Sequence, residues 1–225
     1  LVNAMMGHGV ASKTFRLNHW DRIQVEMDSR TSLSKHSMLK TLLISKVNQL
    51  GDNVVYLPVV QSLVEAHPDW RIVVLTSPTA ARLYEVCCPE VEVHTYETAE
   101  FNGAWRHPAR LLQFWRKIRS LKPDACLLGS DQGSVAHFLA RFSGARAVVG
   151  PLSERVKLNA LLNLRLPSEG EEHVAIHNWR IAQALIRHLK LPALPEQMPP
   201  PDLSAFGREG HGSVVMHAGA SRAYK

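Results

Sequence analysis

Cysteine is scarce in this 225-residue sequence: only Cys87, Cys88 and Cys126 occur. The count is odd, two are adjacent and none has metal-ligand spacing. This excludes a disulfide framework and a zinc ribbon, and it fits a reduced, cytoplasmic protein whose thiols are small buried apolar groups. No apolar run approaches the roughly 18 residues of a membrane-spanning helix. The first residues lack the charged segment, apolar core and cleavage site of a secretory signal. Acidic side chains are outnumbered, 20 against 26 basic ones, giving a net charge of +6 and a pI near 9.4. That balance favours acidic partners: phosphorylated glycans, anionic lipid headgroups or nucleic acid. Zinc-finger, RNP and KH signatures are missing, which sets nucleic acid aside. The sequence also lacks a GxGxxG after its first strand, a P-loop lysine and a GxSxG elbow, so neither a dinucleotide fingerprint nor a nucleophile elbow is present. What is present is ample apolar material, 45% of residues, in a length that suits one large or two small domains.

Residues 1–37 are polar and aperiodic, a leader set apart from the rest. From Met38 to residue 190, apolar runs and amphipathic stretches alternate. Strands are predicted near 40–46, 71–76, 91–95, 125–129 and 146–149, with helices near 54–66, 78–86, 108–121, 134–143 and 174–190. Strand–helix alternation of this kind predicts an α/β fold, a Rossmann-like doubly wound parallel sheet. The Pro-rich stretch LPALPEQMPPPDL within 191–209 cannot continue a helix and reads as an extended interdomain linker. A short strand at Ser213–Met216 follows, in a segment 210–225 that opens a second domain.

The most informative stretch is Lys40–Pro58, KTLLISKVNQLGDNVVYLP. Leu42-Leu43-Ile44 is apolar without alternation, as a strand covered on both faces should be. Asn48 and Gly51 break it, and Asp52 and Asn53 are good capping residues for a helix resuming at Val54. A carboxylate at the carboxyl end of a parallel strand lies where open α/β sheets bind ligands. Its competing role is plain helix capping. Pro58 predicts either a kink or a helix that starts near Leu57.

Several motifs, in order, resemble the heptosyltransferases of glycosyltransferase family nine. They are Gly51-Asp52 followed by Leu57-Pro58, His67-Pro68-Asp69-Trp70, Ser77-Pro78, Lys122-Pro123-Asp124, and His217-Ala218-Gly219-Ala220-Ser221. Ala218 stands where the family has Pro, and Lys46 stands where Arg is common. The resemblance implies the N-terminal, acceptor-side half of a GT-B fold, with only the beginning of the donor domain. It implies an inverting glycosyl transfer that needs no metal or other cofactor. The donor would be a nucleotide sugar and the acceptor a cell-envelope glycan or glycolipid, as in lipopolysaccharide synthesis. By the same resemblance Asp52 is the catalytic base, and Gly219, Ala220, Ser221 and Lys225 hold the donor diphosphate. Arg222 is a weaker donor contact. Gly51, Asn53, Asp131 and Gln132 fall on the acceptor side, at strand ends. A chain with so little donor domain is expected to be inactive alone.

Two further constellations carry alternatives. Phe101–Pro123 has six basic residues, Arg106, Arg110, Arg116, Lys117, Arg119 and Lys122, and no acid, with Trp105, Phe114 and Trp115 interleaved. On a helical wheel Leu111, Trp115 and Ile118 share one face, and Arg116 and Lys117 lie away from it. This reads either as a solvated face over a core stripe or as a peripheral contact with an anionic glycolipid or the inner membrane surface. His173 and His177 are four apart on a predicted helix, a metal-compatible spacing without a third ligand. Two rival functions stand beside the transferase: a non-catalytic half that binds anionic glycans, and a nicotinamide-dependent oxidoreductase, against which the missing glycine fingerprint argues.

Overall fold

The computed structural model describes residues 41–130, 132–153 and 156–207. The polar leader and the expected strand at Ser213–Met216 lie outside the described residues. Among the described residues six strands form one sheet: β1 (Thr41–Lys46), β2 (Arg71–Thr76), β3 (Glu92–Thr95), β4 (Ala125–Leu128), β5 (Ala147–Pro151) and β6 (Leu164–Leu166). Their order is β3-β2-β1-β4-β5-β6, and every neighbouring pair is parallel. This is the doubly wound sheet expected from the alternation. All five expected strands occur. β6 was not expected, because three residues ahead of Pro167 leave too short a pattern to read.

The helices are α1 (Leu50–Ala66), α2 (Pro78–Cys87), α3 (Thr98–Asn102), α4 (Pro108–Ser120), α5 (Ser134–Phe142) and α6 (Val174–His188). They divide between the two faces. α1, α2 and α6 cover Leu42, Ile44, Ile72, Val74 and Leu127. α3, α4 and α5 cover Leu43, Val73, Leu75, Cys126 and Leu128. The unbroken apolar runs of the central strands follow from this double covering. On α4, Ile118 is buried and Leu111 and Trp115 pack on the second core, as the wheel predicts, while Arg116 and Lys117 are exposed. The cysteines are free. Burial pushes the Cys88 and Cys126 thiols up to about 12.

α1 departs from expectation at its start. It begins at Leu50, four residues before the expected Val54, with Gln49 as the N-cap. Asp52 therefore sits in the first turn and does not cap, and Gly51 is helical and does not break the chain. The reason is Asn53, which holds the helix entrance from inside: its Nδ2 donates to the carbonyls of Asn48 (3.2 Å) and Gln49 (2.8 Å). Pro58 consequently lies in the helix interior. Its ring is buried, and the Val54 carbonyl forgoes the bond an amide at 58 would give. Ser77 precedes Pro78 as N-cap, but its hydroxyl meets Thr79 Oγ1 (3.0 Å) and makes no capping bond to the helix.

Buried His137 on α5 couples the fold to pH. Its Nδ1 lies 3.1 Å from the Gly133 carbonyl, which can only accept, so Nδ1 carries the proton. Nε2 is buried with no hydrogen-bond partner. Burial holds the imidazole pKa below its ordinary 6.5, against the opposing pull of the Gly133 bond. The neutral form is thus favoured in the fold, and the unfolded chain takes up a proton first as pH falls. Stability contributed by this group is intact above about 6.5 and declines with acidification until the folded pKa is reached. His67, stacked on Trp70, is shifted the same way by burial. The urea midpoint should be lower at about pH 5.5 than at about pH 7.5, and the slope should be shallower in His137→Gln. An identical slope in both proteins would place the pH effect elsewhere.

Candidate functional site

The connections leaving β1 and β4 run to opposite faces of the sheet, so the carboxyl ends of these neighbouring strands bound the crevice of the topological switch point. Lys46 ends β1 and is 1% exposed. Its stem passes beside Gly129, and its Nζ donates to the Ser130 carbonyl (2.9 Å) and lies 5.8 Å from the centroid of the Tyr56 ring. A Cβ at position 129 would stand 2.7 Å from Lys46 Cδ and 3.2 Å from Tyr56 Cε2. The glycine after β4 is therefore required for the lysine to cross between the strands. Burial pushes the Tyr56 phenol far up, so it stays neutral.

Around this lysine a floor of amides and hydroxyls closes the crevice from below. Gln132 Oε1 accepts from Ser45 Oγ and from the Val47 amide, both at 3.3 Å, while its Nε2 bonds Asn48 Oδ1. The loop after β4 thereby fixes the turn after β1. Asn178 on α6 accepts at Oδ1 from the Ser130 amide (2.7 Å) and the Ser130 hydroxyl (2.9 Å). His177 donates from Nε2 to the Leu166 carbonyl (3.1 Å) and brings Nδ1 to 3.4 Å from Ser130 Oγ.

Asp52 is partly buried in the first turn of α1, where the helix dipole favours a carboxylate. Gly51 is exposed, and a Cβ there would meet open space. Asn53 is fully buried. Besides the two carbonyls of the helix entrance, its Oδ1 accepts from Thr76 Oγ1 (3.1 Å) and the Tyr84 hydroxyl (2.9 Å). Asn53 and Gln132, expected on the acceptor side at strand ends, have their amides engaged by the protein. Asp131, also placed there, lies outside the described residues. So do Gly219, Ala220, Ser221, Arg222 and Lys225.

A second opening lies at the same end of the sheet, beyond β3. It encloses about 340 Å³ and is lined by Thr95, Tyr96, Glu97, Glu100, Gln113 and Lys117 among others. Glu100 pairs with Arg110 at 3.4 Å. The two histidines are engaged separately: His173 caps α6 through Nδ1, accepting from the Ala175 amide (3.2 Å), and His177 bonds the Leu166 carbonyl. Among the described residues, no three His, Cys, Asp or Glu side chains converge as a metal site would need. Nor, among them, is any helix long and apolar enough to cross a membrane. The floor residues Ser130, His177 and Asn178 carry no sequence signal as a group, because the contacting residues are 47 or 48 positions apart.

A doubly wound parallel sheet with polar groups gathered at its switch point is the architecture of an α/β ligand-binding domain. More particularly, its fold is similar to that of solved heptosyltransferases. Escherichia coli heptosyltransferase WaaC, in a structure with ADP-2-deoxy-2-fluoro heptose, superposes with a TM-score of 0.56 at 14% identity, over 70% of this chain and 51% of that one. E. coli ADP-heptose lps heptosyltransferase II gives 0.54 at 18% identity, over 72% and 46%. A glycosyl transferase of family 9 from Veillonella parvula DSM 2008 gives 0.52 at 14%, over 71% and 44%. This chain thus spans about half the length of the solved structures it matches. No protein-family model and no curated protein sequence matches it.

Proposed function

We propose that these residues form the acceptor-side domain of an inverting, metal-independent glycosyltransferase of heptosyltransferase type. It takes a nucleotide-sugar donor and a cell-envelope glycan acceptor at the cytoplasmic face of an anionic membrane. The observation that carries this reading is Asp52: a carboxylate in the first turn of the helix that follows β1, the strand that bounds the switch point, in a fold similar to that of heptosyltransferases. The Asp52 carboxylate takes the proton from the acceptor hydroxyl as its oxygen attacks the anomeric carbon. The bond from that carbon to the nucleotide diphosphate breaks on the opposite side, so the configuration inverts. The diphosphate leaves toward the amides of Gly219–Ser221 and the ammonium of Lys225. The Pro-rich segment is the connection to the donor domain. The opening beyond β3 lies two strand spacings, about 10 Å, from β1. With carboxylates, an amide and an ammonium on its walls, it suits the hydroxyls of the next sugars of the acceptor.

Product analysis tests the reading. The 225-residue chain and a two-domain form are each incubated with a panel of nucleotide sugars and envelope glycans, with and without a chelator. Transfer by the two-domain form, insensitive to chelator and inverted at the new bond, is expected. The 225-residue chain alone should stay at background and bind donor only weakly, because donor and acceptor must be aligned across two domains. Glycan binding without transfer in either form would leave the non-catalytic alternative standing. A nicotinamide absorbance change without sugar transfer would hand the site to the oxidoreductase.

A further inference from the structure

We infer that the outer surface of α4 and α5, with the turn before α4, is a docking face for an anionic lipid bilayer, seated by the exposed rings of Trp105 and Phe142. This gives a specific surface to the membrane contact of the preceding section. It is tested by lipid binding and not by sugar transfer, so the two readings can fail separately.

The first observation is how charge is distributed. Residues 101–146 hold eight Lys and Arg side chains and two acids, a surplus of six. That equals the net charge of the whole chain, so the remaining residues are balanced. Six of these cations, Arg106, Arg116, Lys117, Arg119, Lys122 and Arg141, are exposed on α4, α5 and the turns beside α4. Of the two acids, Asp124 bonds the Thr41 amide at 3.0 Å at the foot of β1. Glu97 and Glu100 adjoin this stretch, and Glu100 is paired with Arg110, so the surplus belongs to α4, α5 and the turns beside α4, where it complements a surface of negative headgroups.

The second observation is apolar. Seven large hydrophobic side chains are exposed among the described residues, and Trp105, Leu112 and Phe142 of this layer are three of them, each more than 40% exposed. Trp105 meets the Phe138 ring at 5.0 Å, and Phe138 meets Phe142 at 4.7 Å, so the rings form one continuous strip. The strip is held firmly from below. Trp115 Nε1 donates to the Phe142 carbonyl (2.8 Å), and the Arg119 guanidinium stacks over Trp115 at 5.6 Å. Exposed Trp and Phe rings framed by basic residues are the composition of a surface that rests in the headgroup region.

The test is sedimentation of the 225-residue chain with vesicles of phosphatidylcholine alone and of phosphatidylcholine with phosphatidylglycerol. Binding to the anionic vesicles only, weakened by salt, is expected. Arg116→Gln with Arg141→Gln should weaken it about 25-fold, at roughly fivefold for each charge near an anionic surface. Trp105→Ser with Phe142→Ser should weaken it about tenfold, from the half-exposed apolar area no longer buried in lipid. Circular dichroism and melting confirm that each variant is folded, and the salt dependence of the parent needs no variant. Arg82→Gln with Arg187→Gln removes the same charge from the opposite layer and should change binding less than twofold. Equal loss in that control, equal binding to neutral vesicles, or no vesicle binding at all would each overturn the proposal. Retention on an immobilised phosphorylated glycan without vesicle binding would overturn it in favour of a glycan surface.

Discussion

Replacing Asp52 by asparagine is expected to lower turnover of a two-domain form by about 10²–10⁴, the usual contribution of a general base. The substitution keeps the shape of the side chain and removes its ability to take a proton. Under the proposed function, with the donor diphosphate on the other domain, it should leave donor affinity nearly unchanged, so kcat falls while the KM for nucleotide sugar stays near that of the parent. The fold should hardly notice. Asp52 makes no capping bond, and its favourable position in the first turn of α1 is worth about 0.3–1 kcal/mol at most. Activity and stability therefore separate cleanly. Turnover near that of the parent, together with a small drop in melting temperature, would mean that Asp52 serves only the helix dipole.

Asn53→Leu should have the largest effect on stability, a loss of about 3–5 kcal/mol in urea unfolding. Leucine has a similar volume but none of the four hydrogen bonds. Its introduction leaves the Tyr84 hydroxyl and Thr76 Oγ1 buried next to a methyl group, and it removes the side-chain bonds to the carbonyls of Asn48 and Gln49, of which Gln49 keeps the Asn53 backbone amide. Each buried group left without a partner costs roughly 1–3 kcal/mol. Tyr84→Phe removes one donor and leaves Asn53 Oδ1 bonded to Thr76, so it should cost only about 1 kcal/mol. If the two substitutions destabilised equally, Asn53 would not be the centre of the network.

The central strands were legible because burial on both faces leaves an unbroken apolar run, as at Leu42–Ile44 and Ile72–Leu75. Helix positions followed from amphipathic spacing, and α4 buries Ile118 where the wheel places it. The start of α1 was not legible. Asn53 looked like a residue that caps a following turn, while its real partners are Thr76 and Tyr84, 23 and 31 residues away. The same limit applies to the floor of the crevice. Position 46 stood out only as a lysine in place of arginine, and nothing local says that it crosses to Ser130 past a glycine 83 residues later. Asp52 looked like a cap as well as a strand-end carboxylate; the N-cap is Gln49, because the helix entrance is closed from within by Asn53.

The proline-rich residues after α6 have a mechanical consequence. Loose, the twelve residues 191–202 would reach about 37 Å as an extended chain. They are laid down instead. Leu194 is buried, Gln183 Nε2 donates to the carbonyls of Pro195 and Glu196, and Gln61 and Asp202 exchange a reciprocal pair of bonds at 2.7 and 3.0 Å. A tether held at Leu194–Glu196 and again at Asp202 contributes little slack. Gly207, with φ of 77°, is the first residue past this strap that turns freely into the left-handed region. The reach of anything joined beyond Gly207 is therefore counted from this anchored point, and the length of the proline-rich sequence is not added to it.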